Sequence, residues 1–297
     1  MELDHLKTLL ALVARGSVSA AADDLATSRG TVRRRLDELE AAVGVPLVVR
    51  DEAGVRPTAA GEALVGRGAA LVDQAAIALR AVRETGNEPS GVVRVAAMTG
   101  MPPHLFPVMF ALIGMRYPRL RIELRVLEDP LAEAVTEADL TLHFGARPRE
   151  GAYVSRVITR MPERLVASEA YLAMAGRPER VEDLHQHRLF VWRSPGGDAT
   201  RLPTLGSGGV AVQPHLICSD VHMLRVLAQS GVGIAFTPDR GIDASDATPL
   251  VPVLPELIGR ECALRYSAPE ALVRVPKVRA VMDLLAEFTA GFGEVPG

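Results

Sequence analysis

Residues 28–40 read SRGTVRRRLDELE. Four arginines fall within seven positions, Arg29 to Arg35, and three acids follow, Asp37, Glu38 and Glu40. Ser28 is an N-cap by type and Gly44 a left-handed stop, so the stretch predicts a helix running to about Val43. At roughly 100° per residue, Val32, Leu36, Leu39 and Val43 share a narrow stripe that faces a core. Gly30, Arg33, Arg34 and Asp37 fall on the opposite side, and Arg29 and Arg35 flank the stripe. Basic residues first and acids last oppose the helix macrodipole, at about a few tenths of a kcal/mol per charge. A helix selected for stability alone would not be built so. A recognition helix would, because its N-terminal half enters the major groove, arginine pairs bidentately with guanine O6/N7, and Gly30 lets the backbone approach. A solvated arginine-rich face is the other reading of the same charges.

The surroundings favour the first reading. Leu3, Leu6, Leu9, Leu10 and Val13 mark an earlier amphipathic helix ended by Gly16. Ser17 or Ser19 caps a short helix, SAAADDLA (19–26), whose alanines permit close approach by a neighbour. Two helices joined by a tight turn and packed on a first describe a helix-turn-helix. Downstream, VPLVVRDEAGVRPTAAGEAL (45–64) reads as strand, turn, strand and helix start. That is a wing, with Arg50 and Arg56 placed for backbone phosphates and Thr58 capping the next helix. This long helix carries Leu64, Leu71 and Ala78 at seven-residue intervals, and likewise Val65, Val72 and Leu79. A seven-residue repeat makes a seam for another helix: a second copy of the chain, or else the chain's own remaining domain. The first sixty residues hold eight Lys/Arg against nine Asp/Glu, so the basic footprint is a patch.

TGNEPSG (85–91) breaks the long helix and reads as a hinge. Strands and helices then alternate: VVRVAAM (92–98), a proline-started helix (102–118), LRIELRVLE (120–128), DLTLHFG (139–145), RLVAS (164–168) with EAYLAMAG (169–176), RLFVW (188–192), PHLICSD (214–220) with VHMLRVLAQSG (221–231), and VGIAFTP (232–238). Such alternation implies parallel sheets faced by helices, with ligands bound beyond the carboxyl ends of strands. Thr99, Gly100 and Met101 lie between a strand and a helix start, as do Ser219, Asp220 and Val221. His143 and Gly145 end a third strand and Trp192 a fourth.

The 297 residues are 48% hydrophobic with net charge -3, enough for two or three cores and not basic overall. No apolar run approaches the roughly 20 residues of a membrane span, and the N-terminus is an amphipathic helix instead of a signal peptide. Cys218 and Cys262 make no disulfide framework and fit a reducing cytosol. Cys218 with His222, and His185 with His187, are too few ligands for a metal. SPGGDAT (194–200) and LGSGG (205–209) lack the lysine and helix of a phosphate loop. With no nucleophile elbow, H-E-x-x-H or paired acids, the expectation is no enzyme, no catalytic residue, no metal and no cofactor.

On these residues the N-terminal segment resembles the winged helix-turn-helix of LysR-type transcriptional regulators. GSVSAAADDLATS (16–28), RRRLDELEAAVGVPLVVR (33–50) and PTAAGEAL (57–64) stand in the family's order and spacing. Arg29 replaces the usual glutamine and Arg33 the usual serine, while Arg34 matches, so a different operator preference is expected. ADLTLHFG (138–145), SDVHMLRVLAQSGVGIAFTP (219–238) and VPKVRAVMDLLAEF (275–288) are similar to the family's effector-binding domain, whose fold is that of periplasmic binding proteins.

The resemblance implies an α/β chain with an N-terminal winged helix-turn-helix (1–58), a dimerisation linker helix (59–86) and a two-lobed effector domain (91–297). Lobe I would span about 91–160 and 265–297, and lobe II about 161–264. Ser28, Arg29, Gly30, Thr31, Arg33, Arg34, Arg50, Arg56 and Thr58 would bind an inverted-repeat duplex DNA operator. By the same resemblance Thr99, Gly100, Met101, Pro102, His143, Gly145, Trp192, Val221 and Thr237 would line a small-molecule cleft. The helix N-termini at Pro102 and Val221 would favour a carboxylate or other anion. The implied protein is a cytoplasmic dimer and tetramer, without membrane attachment, that controls polymerase access. The alternative is an α/β binding protein or enzyme whose helix-turn-helix serves only to dimerise.

Overall fold

The computed structural model describes residues 2–51, 54–84, 88–101, 105–133, 137–145, 153–194, 197–206, 208–239 and 249–290. Pro102 and the hinge residues 85–87 lie outside them. Contacts divide the chain into two compact units, one running to Arg83 and one starting at Glu84.

In the first unit, α1 (Leu3–Arg15) ends at Gly16, whose φ of 66° is the left-handed stop. Ser17, and not Ser19, caps α2 (Val18–Asp24), its Oγ accepting from Ala20 N–H at 3.1 Å. Ser28 caps α3 (Arg29–Val43) by accepting from Thr31 N–H at 3.0 Å, and Gly44 closes it at φ 81°. Val32, Leu36 and Leu39 are buried against Leu9, Leu12, Ala21 and Ala22. Val43 departs from the expected stripe and is 44% exposed. It is the last residue before the chain turns away at Gly44, and the preceding Glu40 is engaged with the wing. That wing is an antiparallel ribbon of β1 (Val48–Asp51) and β2 (Gly54–Pro57).

The long helix α4 (Ala59–Arg83) starts at Thr58, whose Oγ1 accepts from Gly61 N–H at 3.0 Å. Gly61 sits so close to the wing that a Cβ there would lie 2.0 Å from the Leu47 carbonyl oxygen. The first heptad of the expected seam is used internally, since Leu64 and Val65 pack onto the helix-turn-helix core. Beyond Gly68 the seam is largely uncovered, with Leu71 at 53% and Leu79 at 59% exposure and Val72 half-buried.

The second unit contains β3 (Gly91–Met98), α5 (Leu105–Arg116), β4 (Leu120–Leu127), α6 (Pro130–Glu133), β5 (Leu140–Phe144), β6 (Tyr153–Ser168), α7 (Glu169–Ala175), β7 (Leu189–Trp192), β8 (Arg201–Pro203), β9 (Gly209–Ala211), β10 (Leu216–Cys218), α8 (Val221–Gln229), β11 (Ile234–Pro238), β12 (Leu250–Val253), β13 (Arg260–Pro269) and α9 (Pro276–Ala290). The alternation implied parallel sheets faced by helices, and the resemblance two α/β lobes. Among the described residues there is instead one mixed nine-stranded sheet, ordered β10-β7-β11-β6-β13-β5-β3-β4 with β12 on β6, beside the small β8–β9 ribbon. Each half repeats one plan: three parallel strands with the first in the middle (β4-β3-β5, β10-β7-β11), then an antiparallel fourth. Those fourth strands, β13 and β6, pair along ten residues and tie the halves together.

The resemblance implied crossing strands between the lobes, but the sequence pattern did not locate them, giving only RLVAS from β6 and nothing from β13. Pro162 lies inside β6, and a proline within a run weighs against a central strand. In the sheet its carbonyl accepts from Asp239 N–H, just past the last β11–β6 pair at Pro238 and Glu163. Its missing N–H would point to that same side, so the pairing with β13 loses no bond and the only one forgone is at the end of β11.

Two histidines are buried in this unit, each with a hydrogen-bond partner. His143 Nδ1 lies 3.3 Å from the Phe144 carbonyl oxygen, which can only accept, so Nδ1 carries the proton and Nε2 accepts from Ser267 Oγ at 2.8 Å. His187 Nδ1 meets Tyr171 Oη at 3.1 Å. Burial pushes both imidazoles below their ordinary pKa. The unfolded chain takes up these protons near pH 6.5 while the folded chain resists, so stability is complete above about pH 6.5 and is lost below it.

Melting followed by the fluorescence of Trp192, the single tryptophan, will therefore show a lower midpoint at acidic pH than at neutral pH. The pH slope will be shallower in His143→Asn, although that variant starts lower. Burial raises the Glu163 carboxyl, which acts in the opposite direction, so the variant comparison isolates the histidine. Equal slopes in both proteins would contradict this account. In the first unit, Gly61→Ala will destabilise by about 1–3 kcal/mol through the backbone clash, seen as faster amide exchange in α1 and α3. Unchanged exchange would contradict the close approach.

Candidate nucleic-acid interface and ligand cleft

Helix α3 presents its N-terminal half to solvent because its other face is committed to the core. Arg29, Gly30, Arg33 and Arg34 are exposed. Arg29 and Arg33 lie one turn apart on one face, and neither has an ion-pair partner among the described residues. A Cβ at Gly30 would meet only Ser28 Oγ, at 3.7 Å. Internal packing therefore gives no reason for glycine, which costs roughly 1 kcal/mol relative to alanine in a helix. A surface that something approaches closely supplies one.

The other two arginines are not alike. Arg35 is 24% exposed and donates to Asp4 Oδ2 of α1 at 2.8 Å, which makes it a brace between helices. Arg34 stays 63% exposed but donates through NH1 to Glu38 Oε1 at 2.6 Å. Glu38 Oε2 in turn lies 2.7 Å from His5 Nε2 on α1. The His5 hydrogen bond and then that of Arg34 hold the Glu38 carboxyl below the ordinary carboxylate range. Glu40, at the acidic end, has a separate role: its Oε1 accepts from Leu47 N–H at 2.7 Å and Val48 N–H at 3.2 Å, seating the wing. Reading the sequence missed His5, Asp4 and Glu38. The four-residue step from Arg34 to Glu38 was available as a signal, whereas partners on α1 have none.

The hydroxyls differ in what they have left to offer. Ser28 Oγ and Thr31 Oγ1 are 2.9 Å apart, so one donates to the other and a single proton remains for an outside acceptor. Thr58 Oγ1 donates to the Pro46 carbonyl oxygen at 2.8 Å while capping α4, so its only proton is used. The expected phosphate contact from Thr58 does not fit this arrangement. On the wing, Arg50 pairs across from buried Val55, and Arg56 from exposed Val49. Alternation along the strands sends the two arginines to opposite faces of the ribbon.

In the second unit, the strand ends named as ligand positions do converge. The order of each half puts its switch points beside β3 and β5, and beside β7 and β11. Gly100, at φ 82°, backs onto the start of α8, where a Cβ would lie 2.3 Å from Val221 N and 2.9 Å from Asp220 Oδ1. Phe144 and Trp192 meet edge to face with centroids 5.5 Å apart, and Trp192 Nε1 donates to the Ser219 carbonyl at 3.2 Å. Along this line the ends of β3 and β5 meet the end of β7 and the start of α8.

Several expected ligands are committed elsewhere. Thr99 Oγ1 donates to the Leu127 carbonyl, and His143 is a core histidine bonded as described. Gly145 donates its N–H to the Ala263 carbonyl and its own carbonyl accepts from Arg265 Nε at 3.0 Å. Met101, Trp192, Val221 and Thr237 are buried, and Thr237 Oγ1 has no hydrogen-bond partner among the described residues. The anion expected at Val221 meets an occupant already in place: the Asp220 carboxylate caps α8, accepting from Met223 N–H at 3.1 Å. A fixed negative charge at that terminus disfavours a second one.

Comparison with known proteins agrees with both units. Residues 3–62 match the family described as "Bacterial regulatory helix-turn-helix protein, lysR family", and residues 86–290 match "LysR substrate binding domain". The HTH-type transcriptional regulator CrgA of Neisseria meningitidis serogroup C (strain 8013) is 28% identical over 290 residues, covering 96% of each chain. The structure of CrgA from Neisseria meningitidis superposes with a TM-score of 0.57 at 25% identity, covering 97% of this chain and 99% of that one. The Vibrio cholerae virulence activator AphB, at 24% identity, shares the fold with a TM-score of 0.55 over 98% and 99% of the two chains. The chain belongs to the LysR family and is a LysR-type DNA-binding transcription regulator, built from a helix-turn-helix domain and a LysR substrate-binding domain.

Proposed function

We propose that this regulator binds an inverted-repeat operator as a dimer, with Arg29, Gly30, Arg33 and Arg34 of α3 facing base edges. Ser28 or Thr31 supplies one hydroxyl to phosphate, and Arg50 and Arg56 reach the backbone from either side of the wing. The observation that carries the reading is the pair Arg29 and Arg33, exposed one turn apart with no acidic partner among the described residues, at the helix end where the macrodipole opposes cations. Arginine at both positions favours guanine in each half-site through O6/N7 pairing. Two copies join through the uncovered stripe of α4, placing recognition helices about 34 Å apart, one turn of the duplex.

The substrate-binding domain takes a small molecule between its lobes, against Gly100, Met101, Trp192, Val221 and Thr237. With Asp220 at the α8 terminus, a ligand that donates hydrogen bonds suits that end better than a carboxylate. Thr237 Oγ1 is the buried polar atom left for it. Ligand binding parts the Gly100–α8 and Phe144–Trp192 contacts and so changes the promoter output, in the cytoplasm and in reach of RNA polymerase. Exposed Val108, Leu112 and Met115 on α5, and Met223 and Val226 on α8, are apolar surfaces suited to joining dimers into a tetramer.

Selection from random duplexes tests the readout. Wild type will enrich half-sites containing guanine; Arg29→Gln and Arg33→Ser will each lose about 1–3 kcal/mol of discrimination at one base pair. A/T-only half-sites, or unchanged preferences in both variants, would contradict the assignment. Arg50→Ala will lower the salt slope by about one unit while leaving sequence preference intact. Independently, Leu71→Glu with Leu79→Glu will shift sedimentation toward the monomer and weaken operator binding; an unaltered oligomer would place the dimer contact elsewhere.

A further inference from the structure

We propose that Glu38 is a positioning residue for Arg34, held in place from α1 by His5, and that this buttress makes Arg34 a base reader instead of a phosphate clamp. The inference rests on the reading of Arg34 as a groove-facing residue and names what orients it. Glu2 N–H donates to His5 Nδ1 at 3.0 Å, so that nitrogen is unprotonated and Nε2 carries the ring proton. Nε2 then donates to Glu38 Oε2 at 2.7 Å, and the other carboxylate oxygen receives Arg34 NH1 at 2.6 Å. A relay from the first turn of α1 thus ends on the guanidinium of α3. Engaging one nitrogen of a planar fork fixes its plane and leaves the remaining donors aligned as a pair, the arrangement guanine O6/N7 accepts.

The carboxylate also acts against the alternative use of Arg34. A phosphate approaching the same guanidinium would come up against the negative charge of Glu38. Among the described residues Arg29 and Arg33 carry no such carboxylate, and Arg35 is tied to Asp4 on the core side. Helix α3 therefore holds three kinds of arginine: free, buttressed and structural.

Binding of single-base-pair variants of the selected operator tests this. Glu38→Ala, on an exposed helix position, will lower discrimination by about fivefold to a hundredfold at the base pair that Arg34 contacts, leave the other pairs unchanged, and leave binding to scrambled DNA equal or tighter. In an Arg34→Ala background Glu38→Ala will have no further effect on discrimination. His5→Ala will reproduce the pattern at the same base pair with a smaller loss. Uniform weakening on every duplex, or the same loss in the absence of Arg34, would overturn the proposal. Base preferences left intact by Arg34→Ala alone would instead overturn the reading of Arg34 itself.

Discussion

Burial of Val32, Leu36 and Leu39 sets the rotation of α3 about its own axis. Each contributes about 1.5–3 kcal/mol when fully buried, whereas each arginine near the helix N-terminus costs about a few tenths. Packing wins by a wide margin, and the arginines have no choice of direction. Gly44 and Ser28 set where the helix ends, and Glu40 holds the wing to its last turn. What the protein can present to DNA follows from that single apolar stripe.

The second unit applies a comparable constraint twice. Each half places its first strand between the next two, so each has one switch point where strand ends open outward. The crossing strands β6 and β13 join the halves edge to edge, and the Gly100 and Phe144 contacts bring the two switch points together. A glycine is required at residue 100 because a side chain there would strike the backbone at the start of α8. The buried Asp239, paired with Arg164 and Arg225, braces β6 against α8 just beyond β11.

Local signals were legible in the sequence, and distant partnerships were not. Caps, stops and the α3 stripe depend on residues within one or two turns, so Ser28, Gly44 and Leu36 could be read directly. Val43 misled because periodicity does not say where the neighbouring helix ends. Pro162 hid a sixteen-residue strand because its harmlessness depends on where β11 stops. Strand ends could be located from the alternation of elements, yet the occupation of the α8 start by Asp220 and the commitment of Thr99 and His143 depend on residues far along the chain. Likewise the buttress on Arg34 begins at His5, and no spacing rule connects a residue of α1 to the end of α3.

Fluorescence anisotropy of the full chain on the best selected duplex, beside a scramble of identical composition and over a series of salt concentrations, tests the central claim most directly. The account predicts binding to the operator at least about a thousandfold tighter than to the scramble, with log affinity falling steeply and linearly against log salt. Equal and weak binding to both duplexes at every salt concentration would mean that the arginines of α3 are a solvated face, and would contradict it.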